Sequence, residues 1–153
     1  MSSAPQYMEG RYDHKMDPKF RVAIPVDWRP APGETLRLLH STSYELPVVV
    51  ALTETEYVDR LMQIDEAENL NPLQKRQMKG RLHSKCRPAT VNPQGKLLVP
   101  KDWSEAAGLP SDDAVVLVGR GTYFEIWAAC NYATVEESEA EQLAEFNDEL
   151  GVF

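Results

Sequence analysis

The segment 16–28 of this chain recurs, without a gap, 75 residues later as 91–103. The shift lays Pro18 on Pro93, Pro25 on Pro100, Asp27 on Asp102 and Trp28 on Trp103 as identities. Asp17 over Asn92, Arg21 over Lys96, Val22 over Leu97 and Ile24 over Val99 are replacements of similar kind, and the frame holds to Gly33 over Gly108. A unit this short has too little apolar surface to be stable alone, so the two copies are expected to interlock around a shared core rather than form separate beads. No Gly/Ser-rich linker stands between them.

Each copy has the same local chemistry. Asx-Pro opens a turn, because proline sets φ and the Asx side chain can bond the following backbone. A basic residue leaves the turn, a short aliphatic strand follows, and Pro25 or Pro100 ends it for want of an N–H. Asp27 and Asp102 are then read as N-caps of short helices, Asp102 with Glu105 at capping-box spacing, and Gly33 and Gly108 as their exits. Strands are expected over 36–39, 48–52, 115–118 and 123–127, with Gly119-Arg120-Gly121 as a hairpin turn. Three longer helices are expected. Thr53-x-x-Glu56 caps the first, with Tyr57, Leu61 and Ile64 on one face; Asn71-Pro72 opens the second; Thr134-x-x-Glu137 caps the third, where Leu143, Phe146 and Leu150 align.

The net charge of −8 argues against a nucleic-acid partner until it is divided by segment. Residues 69–101 hold eight Lys or Arg and no acid, leaving eight bases against 24 acids elsewhere. Seven of those acids fall in 136–149, which has no base. A local basic field, not the average, is what a phosphate backbone meets. No apolar run reaches membrane-spanning length, and the Met1-Ser2-Ser3-Ala4-Pro5 start lacks signal-peptide features, so a cytoplasmic location is expected. Cys86 and Cys130 have neither metal-ligand spacing nor a disulfide framework and are read as reduced thiols.

The motifs Met16-Asp17-x-Lys19-x-Arg21-Val22-x-Ile24-Pro25 and Gln94-Gly95-Lys96-Leu97-Leu98-Val99-Pro100 resemble the MraZ family. So do Arg29, Ala107-Gly108-Leu109, Val115-Val116-Leu117-Val118-Gly119, Phe124-Glu125-Ile126-Trp127, and Asn71-Pro72 at the head of the basic helix. The resemblance runs from about residue 7 to 132. It implies an α+β fold related to AbrB-type swapped-hairpin domains: a pseudo-two-fold β-barrel built from two tandem repeats, with helices packed outside. The division expected is a first repeat plus helix at 7–68, a basic helix and connection at 69–90, a second repeat at 91–132 and an acidic helix at 133–153, all one compact unit.

The resemblance also implies a function. MraZ proteins regulate the division and cell-wall gene cluster, assemble as rings and bind repeated promoter elements in double-stranded DNA. Arg21 would then contact DNA, with Lys19, Lys96 and Lys15 completing a basic surface, and Asp17 and Asn92 would orient the turns. A nucleoid-associated homo-oligomer is expected, with no cofactor, metal, membrane or small-molecule substrate. The family signature Asp-x-x-x-Arg stands as Asp17–Arg21 in the first repeat but as Asn92–Lys96 in the second, and Phe20 replaces the usual Gly. Lysine keeps the charge and loses the planar fork, so repeat one is expected to read sequence and repeat two to hold phosphate. Phe20 takes left-handed backbone less cheaply than Gly, so the first turn is expected to differ in shape.

Other classes weigh less. His14, His40 and His83 are scattered without a nucleophile–base arrangement, and Gly119-Arg120-Gly121 lacks the third glycine of a dinucleotide loop, so no enzyme is expected. The runner-up is an oligomeric protein-interaction or antitoxin-like module without promoter binding. The basic stretch 75–87 is open to two roles, flanking phosphate or the acidic surface of a neighbouring protomer, and the charge polarity favours the second. Trp28, Trp103, Tyr123, Phe124 and Trp127 are read as packing residues rather than base-stacking platforms, and Met78 and Leu82 likewise.

Overall fold

The computed structural model describes residues 7–153; the stretch 1–5 examined for a signal peptide lies outside them. The elements in chain order are β1 (Arg11–Lys15), β2 (Arg21–Ala23), a 3-10 turn (Val26–Trp28), β3 (Leu36–Ser43), β4 (Leu46–Leu52), α1 (Glu54–Asp65) and α2 (Pro72–Ser84), followed by β5 (Cys86–Ala89), β6 (Lys96–Leu98), α3 (Lys101–Ala106), β7 (Ala114–Gly119), β8 (Tyr123–Ala128) and α4 (Ala129–Leu150). The class is α+β, with antiparallel sheets and four α-helices among the described residues.

Six strands form one sheet in the order β1-β7-β8-β4-β3-β5, and β2 pairs with β6 in a second, two-stranded sheet. Exchanging β1 with β5, β3 with β7 and β4 with β8 reverses the six-strand list and leaves it otherwise unchanged. The pairing register keeps the correspondence with a four-residue offset: Arg11 lies opposite Val118, and Cys86, 75 residues after Arg11, lies opposite Leu39, 79 residues before Val118. Pro88 is tolerated in β5 because β5 is an edge strand.

Every residue from Val48 to Leu52 is buried because both faces of the sheet are covered. On one face Val49 and Ala51 join Met16, Val22, Trp28, Leu97 and Phe124 in a core drawn from both repeats. On the other, Val48, Val50 and Leu52 pack with Trp127 beneath Tyr57 of α1 and Tyr132 and Val135 of α4. Trp28, Phe124 and Trp127 are fully interior, while Trp103 is half-buried beneath the Arg87 guanidinium, 4.9 Å from its ring centroid. The packing reading of these aromatics holds.

Helix starts test the capping reading one by one. Thr53 accepts from the Glu56 N–H at 3.2 Å, and Asn71 with Gln74 forms a reciprocal capping box with Pro72 at the first helical position. The third expected cap is wrong: α4 begins at Ala129, running straight out of β8, and Thr134 lies inside it. Burial of Tyr132 and Val135 on the sheet sustains that extra helical turn without a side-chain cap. Asp27 and Asp102 are not caps either. Pro25 and Pro100 occupy those positions, putting the aspartates inside the first turn, where Asp102 meets Arg87 at 3.4 Å. Gly108, at φ +72°, follows α3 as expected, whereas Gly33, at φ +88°, lies in a later turn closed by the Glu34 N–H on the Ala31 carbonyl. Met78 is not a packing residue: it is 49% exposed, while Leu82 is half-buried.

Candidate nucleic-acid interface

The two Asx-Pro turns have the same hydrogen bonds. In the first, Asp17 N–H donates to the Arg21 carbonyl at 2.9 Å and Phe20 N–H to the Asp17 carbonyl at 3.1 Å. In the second, Asn92 N–H donates to the Lys96 carbonyl and Gly95 N–H to the Asn92 carbonyl, both at 2.8 Å. The side chains repeat as well. Asp17 Oδ1 accepts from Arg21 N–H, and Asn92 Oδ1 from Lys96 N–H, each at 2.8 Å. The expectation that Phe20 alters the turn is therefore corrected: Phe20 takes φ +60° where Gly95 takes φ +81°, and the turn keeps its form.

These turns are clasped to each other across the repeats. Arg21 faces Leu98, Val22 faces Leu97 and Ala23 faces Lys96 in the β2–β6 ladder. Ile24 N–H then donates to the Gly95 carbonyl and Val99 N–H to the Phe20 carbonyl, both at 2.9 Å, a matched pair of bonds 75 residues apart. Val22 and Leu97 point into the core, leaving the alternate positions outward.

The clasp brings Arg21 and Lys96 to a single carboxylate. Asp17 Oδ2 accepts from Arg21 Nε at 2.9 Å and lies 3.7 Å from Lys96 Nζ. Burial pushes the Asp17 pKa up, but the backbone N–H groups of Arg21 and Lys19, the Arg21 guanidinium bond and its positive charge together pull it below the ordinary value. Arg21 spends only Nε on Asp17, so its terminal nitrogens form no other hydrogen bond among the described residues. With its side chain 34% exposed, that fork can address a phosphate or a guanine edge. Lys96, at 39%, offers a point charge beside it.

Lys19 is exposed and belongs to the first turn by its N–H to Asp17 at 2.8 Å. Lys15 ends β1 opposite Ala114, exposed and without an ion pair among the described residues. Arg29 carries more than the sequence reading assigned to it. Its Nε donates to the Ile24 carbonyl at 2.9 Å, and its guanidinium lies over the second turn, where a Cβ on Gly95 would stand 2.3 Å from Cζ. Lys101 does the reciprocal service, with Nζ 6.0 Å from the Phe20 ring centroid. Each turn thus has a cation from the other repeat against it. The helix α2 packs chiefly against α1 and β5, away from this ladder.

No protein-family model matches the chain. It is similar over nearly its whole length to proteins of one class, transcriptional regulators. The protein named transcriptional regulator MraZ in Symbiobacterium thermophilum is 29% identical, with 93% of this chain and 99% of that protein covered. The one from Nitratidesulfovibrio vulgaris is 29% identical over 94% and 95%, and the one from Leuconostoc citreum 26% over 92% and 94%. The likeness is thus to the MraZ transcriptional regulators, at 26–29% identity among these three.

Proposed function

We propose that this protein is a sequence-specific double-stranded DNA-binding regulator of the division and cell-wall gene cluster, acting on repeated promoter elements as a ring oligomer. The observation that carries the reading is the clasp of two equivalent turns that brings Arg21 and Lys96 to Asp17. Arg21 reads base edges, Lys96, Lys19 and Lys15 hold phosphate, and Asp17 and Asn92 keep the turns in shape. The organisation that goes with it is a pseudo-two-fold barrel in one compact unit, with repeats at 7–68 and 91–132, the basic connection at 69–90 and the acidic helix at 133–153. The reversible strand order supports that symmetry. It is a binding function with no cofactor or substrate, exercised in the cytoplasm at the nucleoid.

One protomer offers few phosphate contacts, so a ring spanning several repeats supplies affinity through avidity. The test is fluorescence anisotropy on DNA carrying the short repeats upstream of the protein's own gene, against scrambled DNA, at two salt concentrations. Specific, salt-sensitive binding that Arg21→Ala abolishes supports the regulator. A further split is expected: Arg21→Ala lowers discrimination, while Lys96→Ala weakens both DNAs equally and flattens the salt slope by about one. Equal loss on both DNAs with Arg21→Ala ends that division of labour. An oligomeric, folded protein with no specific binding at low salt leaves the protein-interaction or antitoxin-like reading, which the projecting end of α4 favours.

A further inference from the structure

The helix α4 outruns the body it packs on. Tyr132 and Val135 are buried on the sheet, and Glu136 and Glu139 are held by Arg11 and Arg120, each at 3.0 Å. Beyond them, residues 141–150 extend for about 15 Å at the helical rise. Along that end Leu143, Phe146 and Leu150 are 37%, 62% and 73% exposed, at the spacing of one helix face. None of the three belongs to either core cluster, so this apolar side of the helix is left without a packing partner among the described residues.

A groove of about 600 Å³ lies between α1 and α2, and no residue of α4 lines it. Ile64, Leu70, Met78 and Leu82 line it, with Arg81 and Lys85 among its basic residues. The α2 helix begins in a full capping box and buries no residue, so its own chain gives it little to pack on. Charge completes the match. Arg76, Arg81 and Lys85 have no acidic partner among the described residues, and neither do Glu141, Glu145, Asp148 and Glu149 a basic one. The end of α4 does not fill the groove of its own chain: the lining comes from α1, α2 and Lys85 just after it, the loop between the helices, β3 and Tyr123.

We propose that the groove between α1 and α2 receives residues 141–150 of α4 from a second copy of this chain. Phe146 and Leu150 enter the apolar floor, and the carboxylates of the helix meet Arg81 and Lys85. Groove and helix end are different surfaces, so the contact is head-to-tail, the kind that closes into a ring or runs on as a filament. This rests on the oligomer in the proposed function and assigns its interface.

The test is sedimentation velocity on the full chain and two variants, Phe146→Glu and the double variant Arg81→Glu/Lys85→Glu, all at exposed or rim positions. Wild type is expected to assemble, and each variant to associate at least tenfold more weakly with an unchanged circular dichroism spectrum. Mixing the variants is the decisive arm. Phe146→Glu keeps a groove and the double variant keeps a helix end, so together they should form a one-to-one dimer that cannot extend. Assembly unchanged in both variants overturns this interface and leaves the ring standing. A monomeric wild type overturns both.

Discussion

Phe20 and Gly95 occupy the same place in the two turns, and both hold left-handed backbone, at φ of 60° and 81°. For an L-residue that region costs roughly 1–2 kcal/mol. The Phe20 ring offsets it by packing partly against the core and standing near Lys101. Replacing Phe20 by Gly trades strain for packing, and stability should stay within about 1 kcal/mol of wild type. Gly95→Ala has no such compensation: it adds strain of about 1 kcal/mol or more and drives Arg29 off the turn. Urea denaturation with an unchanged slope checks both, and a loss of several kcal/mol in Phe20→Gly would show that the ring, not the turn, governs this corner.

Asp17→Asn separates the two services of one side chain. Asn92 shows that an amide oxygen suffices to accept the turn's N–H, so the fold should survive with a loss under about 1 kcal/mol at neutral pH. The folded pKa of Asp17 is depressed. Its contribution to stability is therefore full above the ordinary aspartate value, about 3.9, and is lost as pH falls through the folded value. The variant should accordingly lose less stability than wild type on acidification through that window, measured by thermal melts at stepped pH. With the carboxylate gone, Arg21 and Lys96 face DNA unopposed. Affinity for scrambled DNA should then rise and discrimination fall, and a variant that gains no non-specific affinity would mean Asp17 does not restrain these cations.

How much of this was legible beforehand differs by element. The β2–β6 ladder and its turns follow from the internal repeat, because Asx-Pro chemistry and a strand-ending proline act locally. The start of α4 did not, since Thr134-x-x-Glu137 satisfies a local pattern that the burial of Tyr132 overrides. Arg29 stands out in the sequence, but its contact with the second turn does not, for a different reason. The two copies differ at Phe20 against Gly95 and at Arg29 against Ser104, and these are one feature in space: the guanidinium of one repeat needs the bare glycine of the other. Ser104 instead turns inward and donates to the Leu109 carbonyl. Reading the departures between repeats as pairs would have found it.

The β3–β4 hairpin offers a simple gain. Its two-residue loop, Tyr44-Glu45, has positive φ at both positions, 53° and 65°, the pattern that favours Asn-Gly. Tyr44 is half-buried in the second core and should stay, but Glu45 is exposed. Glu45→Gly should raise stability by about 1 kcal/mol and leave DNA binding unchanged. A neutral or negative result in a denaturation curve would place the strain elsewhere in the loop.

Arg120 ties the β7–β8 hairpin to α4, and its removal should be the most costly single change among those considered. Its Nε donates to Glu125 at 2.9 Å and its Nη1 to Glu139 at 3.0 Å, while the Trp127 indole N–H also donates to Glu125 at 3.1 Å. Burial pushes the Arg120 pKa down, but the hydrogen bonds it donates to the Glu139 and Glu125 carboxylates, with their negative charge, outweigh that and raise it further above working pH. Glu125 is 8% exposed, so Arg120→Ala leaves a nearly buried carboxylate with only the indole. Losing one member of a fully buried pair costs about 3–5 kcal/mol. Arg120 is 24% exposed and water can partly replace it, which brings the expectation to about 2–3 kcal/mol, or on the order of 5–10 °C in Tm. The double variant Arg120→Ala/Glu125→Gln should recover at least half of that, because a neutral amide still accepts from Trp127 without needing a countercharge. If the double variant melts no higher than the single one, the loss came from unfastening Glu139 and α4 rather than from stranding Glu125.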